Sequence, residues 1–233
     1  MLLEKDKMPT RRARTEKDKE QKRGLILNTA SQLFDANPEI LPTAAAIASQ
    51  SGVAKGTVYL YFKSKETIFL TLLEQHYQTW FADISAAITV DSPEADDIIN
   101  AICQYIEAQP QFFQLASLSH SVLERNVAND DLLAFKTSLS NIVKITANNL
   151  AAKLQSTDEE LCAKLLMRSY AILLGIWQIA QKDNQQLDAT QFAILQPEFG
   201  SEARSALLQL WQGHLSSKDS KGRFWKLSKM FGS

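Results

Sequence analysis

The chain has 233 residues, 45% of them hydrophobic, with 25 Lys+Arg against 26 Asp+Glu and a formal net charge of −1. That length holds a small domain and one larger one with ample apolar material for a core, and a near-neutral total excludes a protein that coats nucleic acid by bulk charge. No apolar run approaches the ~20 residues that span a bilayer, and the opening residues MLLEKDKMPTRRAR hold no hydrophobic secretion segment, so a cytoplasmic protein without stable membrane insertion is expected.

Charge is unevenly placed. Met1 to Glu66 carries 12 Lys+Arg and 8 Asp+Glu, net +4, and the remainder is net −5. A basic head on an acidic body points to one localised DNA-binding face. The first 18 residues, with Arg11, Arg12 and Arg14 next to Pro9 and Thr10, lack apolar periodicity and read as a flexible basic arm. Such an arm can reach a minor groove beside the reading head, or simply solubilise the chain. A first helix follows from about Lys19 to Asn37, with LILNTASQLF as its apolar stripe.

Thr43 is a good N-cap for a short helix ending near Ser51. Gly52 sits where a left-handed C-terminal residue is usual, and Val53 should plug the corner of the turn. A second short helix, Lys55 to Leu60, places Val58 and Phe62 inward. Lys55, Thr57, Tyr59 and Tyr61 are left on its outer side. Ser64 caps the next helix, with Glu66 in the first turn, where negative charge suits the helix dipole. This is the layout of a helix-turn-helix DNA reader.

The string GVAKGTVYLYFKSKETIF, from Gly52 on, resembles the signature of TetR/AcrR-type transcriptional regulators, roughly G-V-x-x-x-T-x-Y-x-Y-F-x-x-K-E, without a gap to Glu66. The resemblance covers about the first third of the chain. It implies that Lys55 and Thr57 meet base edges and nearby backbone in the major groove, where lysine donates to guanine and threonine touches a thymine methyl. It implies that Tyr59 and Tyr61 touch sugar-phosphate, and that Lys65 helps hold a phosphate at a helix start. Thr43 could add a phosphate contact, and Gly56 would let the backbone come close. One departure is the run Ala44, Ala45 and Ala46, where several family members carry a polar or basic residue for base contact. Base reading should therefore lean on the second short helix or on the arm.

Beyond the head the chain reads as helix after helix: Ser64 to about Ile88, Glu94 to about Gln109, Pro110 to about Asn126, Asn129 to about Gln155, 157–183, and 197–215 after a polar loop. Eight glycines in 233 residues suit a helical body. Cys103 and Cys162 fall within apolar helical patterns and should pack as buried thiols. The middle helices should hold a pocket for a small hydrophobic effector, with Tyr105, Phe112, Phe113, His120, Phe135, Tyr170 and Trp177 as candidates; each aromatic has core packing as its alternative use. The basic, aromatic tail at 216–233 could lie on its own body, on a membrane surface or on DNA.

No phosphate-cradling glycine loop, no GxSxG and no metal-ligand spacing among His76, His120, His214 and the cysteines is present, so neither an enzyme nor a metal or cofactor is expected. The expected architecture is all-α with about nine helices. A three-helix helix-turn-helix DNA-binding head at 19–66 precedes a larger effector-binding and dimerisation domain at 67–215. The resemblance implies a homodimer through the helices at 157–183 and 197–215, reading a palindromic double-stranded operator as a repressor. The alternative is an effector-independent helical DNA-binding protein, a constitutive regulator or a nucleoid or division factor.

Overall fold

The computed structural model describes residues 11–38, 40–89, 91–154, 158–181, 193–195 and 197–231, without the side chains of 11–15, 193 and 216–231. Every regular element among the described residues is helical. The α-helices are α1 (Arg11–Ala36), α2 (Ala44–Ser51), α3 (Lys55–Tyr61), α4 (Lys65–Ala87), α5 (Ala95–Ala108), α6 (Gln111–Ser117), α7 (Asn129–Lys153), α8 (Glu159–Ala180) and α9 (Phe199–Phe231), with a π turn at Ser119–Leu123 and a 3-10 turn at Ala193–Leu195. Contacts divide the chain into two units, residues 1–72 with 119–132, and residues 73–118 with 133–233. Among the described residues no helix is long and apolar enough to cross a membrane.

The first unit is built on α1. Ile26, Ala30 and Phe34 recur every four residues on one face and are buried, as an amphipathic helix requires. Phe34 meets Phe69 of α4 with ring centroids 5.7 Å apart. Ile47 of α2 and Val58 of α3 complete this small core. The π turn closes when Glu124 N donates to Ser119 O at 2.8 Å, five residues back.

The expected arm at 1–18 is corrected from Arg11 onward, because α1 begins there rather than near Lys19. Its first turns contain no Pro or Gly, and Lys19 Nζ pairs with Glu16 Oε1 at 3.2 Å one turn away. Local propensity thus extends the helix past its apolar stripe. The side chains of Arg11, Arg12 and Arg14 lie outside the described residues, as do Met1 to Thr10.

In the second unit α8 and α9 pack together, α5 lies on α9, and α6 lies on α8. Leu207 and Trp211 of α9 are fully buried. Trp211 Nε1 donates to Ser169 Oγ at 3.1 Å, and that hydroxyl donates to Leu165 O at 2.9 Å, so the buried polar atoms of this seam are paired. Trp80 Nε1 of α4 donates to Ile102 O of α5 at 2.8 Å. Glu94 and Asp97 form a capping box at the start of α5, which locates the Asp91–Glu94 start signal. Arg204 of α9 reaches Asn100 at 2.8 Å and Glu107 at 2.7 Å on α5.

The tail boundary also moves. The last helix does not stop near Leu215; α9 runs on to Phe231, so the segment 216–233 is not a separate tail as far as that residue. No proline interrupts it, and Gly222 alone, at about 1 kcal/mol relative to alanine, is too weak a breaker.

Candidate nucleic-acid interface

The reading head is assembled by short-range capping. Thr43 Oγ1 accepts from Ala46 N at 3.1 Å and starts α2. Gly52 ends it at φ 68°, ψ 22°, in the left-handed region that glycine enters without strain. Val53 N donates back to Ala48 O at 3.1 Å, and the half-buried Val53 side chain sits at the corner. Ala54 is the extended residue before α3. At the far end Phe62 N donates to Val58 O at 3.0 Å, Phe62 turns extended, and Ser64 Oγ accepts from Thr67 N at 3.1 Å to start α4.

Val58 and Phe62 are the inward side of this segment. Lys55 and Gly56 are exposed, Tyr59 is 48% exposed, and Thr57 and Tyr61 are half-buried. Lys65, with its side chain 36% exposed, stands at the first turn of α4 beside Glu66, 3.9 Å away. The expected DNA residues from Thr43 to Lys65 therefore lie on one continuous α2–turn–α3–turn–α4 stretch. Its outer side offers a cation, hydroxyls and free backbone N–H groups, the donor set that grips phosphate and base edges.

Three side chains join this surface that composition alone does not single out. The Arg23 guanidinium of α1 lies 5.2 Å from the centroid of the Phe62 ring, a cation–π contact that ties α1 to the end of the recognition segment. Lys63 Nζ donates to Asp131 Oδ1 at 3.2 Å. Leu60 is 83% exposed in the middle of α3. Leu60 is readable from the sequence, being two residues from the inward Val58; the Lys63 partner, 68 residues away, is not.

The expected effector residues separate. His120 is 86% exposed, lies in the unit that holds the reading head, and pairs with Glu124 at 3.2 Å. The others are in the second unit. Phe112 and Phe113 are fully buried and stack with centroids 5.1 Å apart. Phe135 is buried, and Tyr105, Tyr170 and Trp177 are half-buried. Tyr77 OH donates to Tyr170 OH at 2.6 Å within the same cluster. His76 Nδ1 and Tyr105 OH share a 2.7 Å hydrogen bond. Burial holds the His76 imidazole below its ordinary pKa. Burial, aided by the Asp83 charge, pushes the Tyr105 phenol up to about 12. Burial likewise raises the Cys103 thiol to about 11.

Of these residues Tyr105 lines a groove of about 580 Å³, with Thr79, Asp83, Gln104 and Gln109; further open space lies away from the aromatic cluster. A cavity of about 240 Å³ between α4 and α7 is lined by Ile84, Ser85, Ile88, Thr146, Leu150 and Lys153 among others. A wider groove of about 520 Å³ shares Ser85, Thr146 and Asn149 with it. These are apolar walls with a few hydroxyl and amide groups, the usual make-up of a small-molecule site. Small residues such as Ser85 and Thr146 give no sequence signal for it.

Comparisons with known proteins bear on the same two parts of the chain. Residues 26–72 match the family described as bacterial regulatory proteins, tetR family. Residues 74–218 match the tetracyclin repressor-like, C-terminal domain. Over 59 residues the chain is 39% identical to the fatty acid metabolism regulator protein of Bacillus subtilis (strain 168), covering 25% of this chain and 30% of that protein. Over 100 residues it is 27% identical to the nucleoid occlusion factor SlmA of Marinomonas sp. (strain MWYL1), covering 42% of this chain and 51% of that protein. The matches thus span about half or less of these relatives' lengths. Among solved structures, the TetR family transcriptional regulator PfmR from Thermus thermophilus superposes with a TM-score of 0.50 at 18% identity, over 80% of this chain and 97% of that one. A structure described as a tetR family transcription regulator from Shewanella sp. PV-4 gives 0.52 at 20% identity, over 82% and 97%. At those identities the likeness is one of fold.

Proposed function

We propose that this chain, which belongs to the TetR family of DNA-binding transcriptional regulators, is a repressor that binds a palindromic operator as a homodimer and is released by a small hydrophobic effector. The observation that carries the reading is the α2–turn–α3–turn–α4 stretch, which offers Lys55, Gly56, Thr57, Tyr59 and Lys65 from one capped segment. Lys55 and Thr57 contact base edges, Tyr59 and Tyr61 the sugar-phosphate, and Lys65 with the α4 N-terminus a phosphate. Thr43 adds a phosphate contact from α2. Arg11, Arg12 and Arg14, at the start of α1, serve the neighbouring minor groove.

Dimerisation through α8 and α9 pairs two heads on one palindrome. Part of the apolar material on these helices is already used within the subunit, since Leu165, Leu173, Leu207 and Trp211 are buried. The exposed Met167 and Ile179 of α8 support a remaining face for the partner copy. The effector acts at α4, a continuous helix whose first turns belong to the reading unit and whose later turns wall the α4–α7 cavity. Occupancy there biases the helix, and effector and operator then oppose each other reciprocally.

The test is a complex of purified protein with operator fragments recovered from genomic DNA. The reading requires two chains per palindrome, loss of binding when one half-site is scrambled, and release by an apolar compound whose own affinity falls when operator is bound. One chain per site with no compound able to release it favours the second reading, an effector-independent regulator or nucleoid factor. That alternative draws support from the similarity to a nucleoid occlusion factor and from the filled packing of Phe112 and Phe113.

A further inference from the structure

We infer that Leu60 is a base-reading residue that recognises a thymine methyl group, so that part of the operator's sequence is read by apolar contact. The inference rests on the DNA-binding role of α3 proposed above.

Helical geometry sets the argument. With about 100° per residue, Leu60 lies about 200° round from Val58 in one direction and Gly56 about 200° round in the other, which leaves the two about 40° apart. Val58 is buried, so Leu60 and Gly56 share the outermost line of α3, one turn apart. Thr57 and Tyr59 flank that line. Leu60 is 83% exposed, more than any other large apolar side chain described in the reading unit; Ile40, next, is at 67%. No described neighbour within the protein accounts for a leucine there.

Gly56 supplies a second, independent observation. Its φ is not in the left-handed region, and a Cβ built on it would meet nothing within 4 Å. Neither backbone conformation nor internal packing calls for glycine, although glycine inside a helix costs about 0.5–1 kcal/mol relative to alanine. A bare position on the outer line lets another molecule come close to the backbone. One turn further on, the same approach brings the Leu60 methyls to that molecule's surface. Inside a major groove, the apolar group presented at base level is the C5-methyl of thymine. The outer line thus carries no hydrogen-bond donor side chain, while donors stand on its flanks. On the flanks Tyr59 holds the sugar-phosphate and Thr57 meets a base edge, and the central leucine discriminates thymine from cytosine by contact with its methyl.

The experiment is a positional scan of the selected operator with deoxyuridine in place of thymidine, which removes one methyl group and leaves every hydrogen-bonding edge intact. Wild-type protein and Leu60→Ala are compared by equilibrium binding. The expected result is one position per half-site where the wild type loses about four-fold in affinity, the worth of one buried methyl-sized group. Leu60→Ala should bind the thymidine and deoxyuridine duplexes equally at that position while keeping its response elsewhere. Leu60 is solvent-facing, so the variant should fold, and Leu60→Met, which can still touch a methyl, should retain a reduced discrimination. A scan with no Leu60-dependent methyl effect overturns the inference, as does a uniform loss of affinity with unchanged base preference, which would make Leu60 a backbone contact. If the wild type selects no duplex at all, the DNA-reading role falls and the inference with it.

Discussion

Lys63 and Asp131 form an ion pair across 68 residues of sequence, Nζ to Oδ1 at 3.2 Å, just past the C-terminal end of α3. The second carboxylate oxygen, Asp131 Oδ2, is buried and has no hydrogen-bond partner among the described residues. The Lys63 side chain is itself 65% exposed, so its ammonium can meet an anion outside the protein as well as this carboxylate.

Replacing Asp131 with Asn should release Lys63 toward phosphate. Affinity for non-operator duplex should rise, and the plot of log K against log salt should steepen by about 0.9, the increment for one more phosphate neutralised on B-DNA. Anisotropy titrations over a series of salt concentrations measure it. An unchanged slope would mean that Lys63 faces no phosphate.

Lys65→Ala should do the opposite to the slope. Its charge at the α4 N-terminus is assigned to a phosphate, so its loss should weaken operator and scrambled duplex alike and flatten the slope by about 0.9. Thr57→Ala and Lys55→Ala should instead relax selectivity at particular base pairs, by about 1–3 kcal/mol each. Selection from randomised duplex reads both. If all three variants lose affinity equally for every sequence, the assigned division between phosphate and base contacts is wrong.

The α8–α9 seam should show its worth in stability rather than in DNA binding. Ser169→Ala leaves the Trp211 indole N–H buried without its 3.1 Å acceptor, which costs about 1–3 kcal/mol. Urea unfolding should reveal that loss. Trp211→Phe should cost less in the Ser169→Ala background than in the wild type, because there it also removes the orphaned donor while leaving the same cavity. A Ser169→Ala variant as stable as the wild type would contradict the pairing.

His76 should make the protein less stable in mild acid. Its pKa is lowered from 6.5 by burial, and its neutral ring stacks on Phe112 with centroids 5.5 Å apart. The unfolded chain takes up this proton at a higher pH than the folded one, so between the two pKa values stability falls as pH falls. The His76 contribution should be flat above about pH 7.5, decline as pH drops through the ordinary imidazole value of about 6.5, and level off below the folded pKa. Unfolding midpoints across that range should drop, and His76→Gln should show a shallower decline. Identical profiles for the two proteins would assign the acid sensitivity to other groups.

The reading head is legible in the sequence because its determinants are local. Thr43 with Ala46, Gly52 after Ser51, and Ser64 with Thr67 each act within four residues, and each occupies the expected place. The helical body is legible for the same reason, from starts such as Glu94 with Asp97. Whether Phe112 and Phe113 are core or ligand wall depends on what packs over them, which periodicity does not encode. His120 reads as a polar group of the body, yet it belongs to the unit with the head, because the chain returns there after α6. The charged residues from Arg11 to Asp18 read as unstructured for want of an apolar stripe, but a helix already nucleated at α1 extends through good helix formers without one.

Selection of bound duplexes from a randomised library, followed by anisotropy of the best sequence against its scramble at several salt concentrations, tests most directly whether α3 reads DNA sequence. The expected result is an enriched palindrome, bound at least about a thousand-fold more tightly than the scramble, with affinity falling steeply as salt rises. No enriched sequence, and equal weak binding to every duplex, would contradict the assignment of α3 as a reader of DNA sequence.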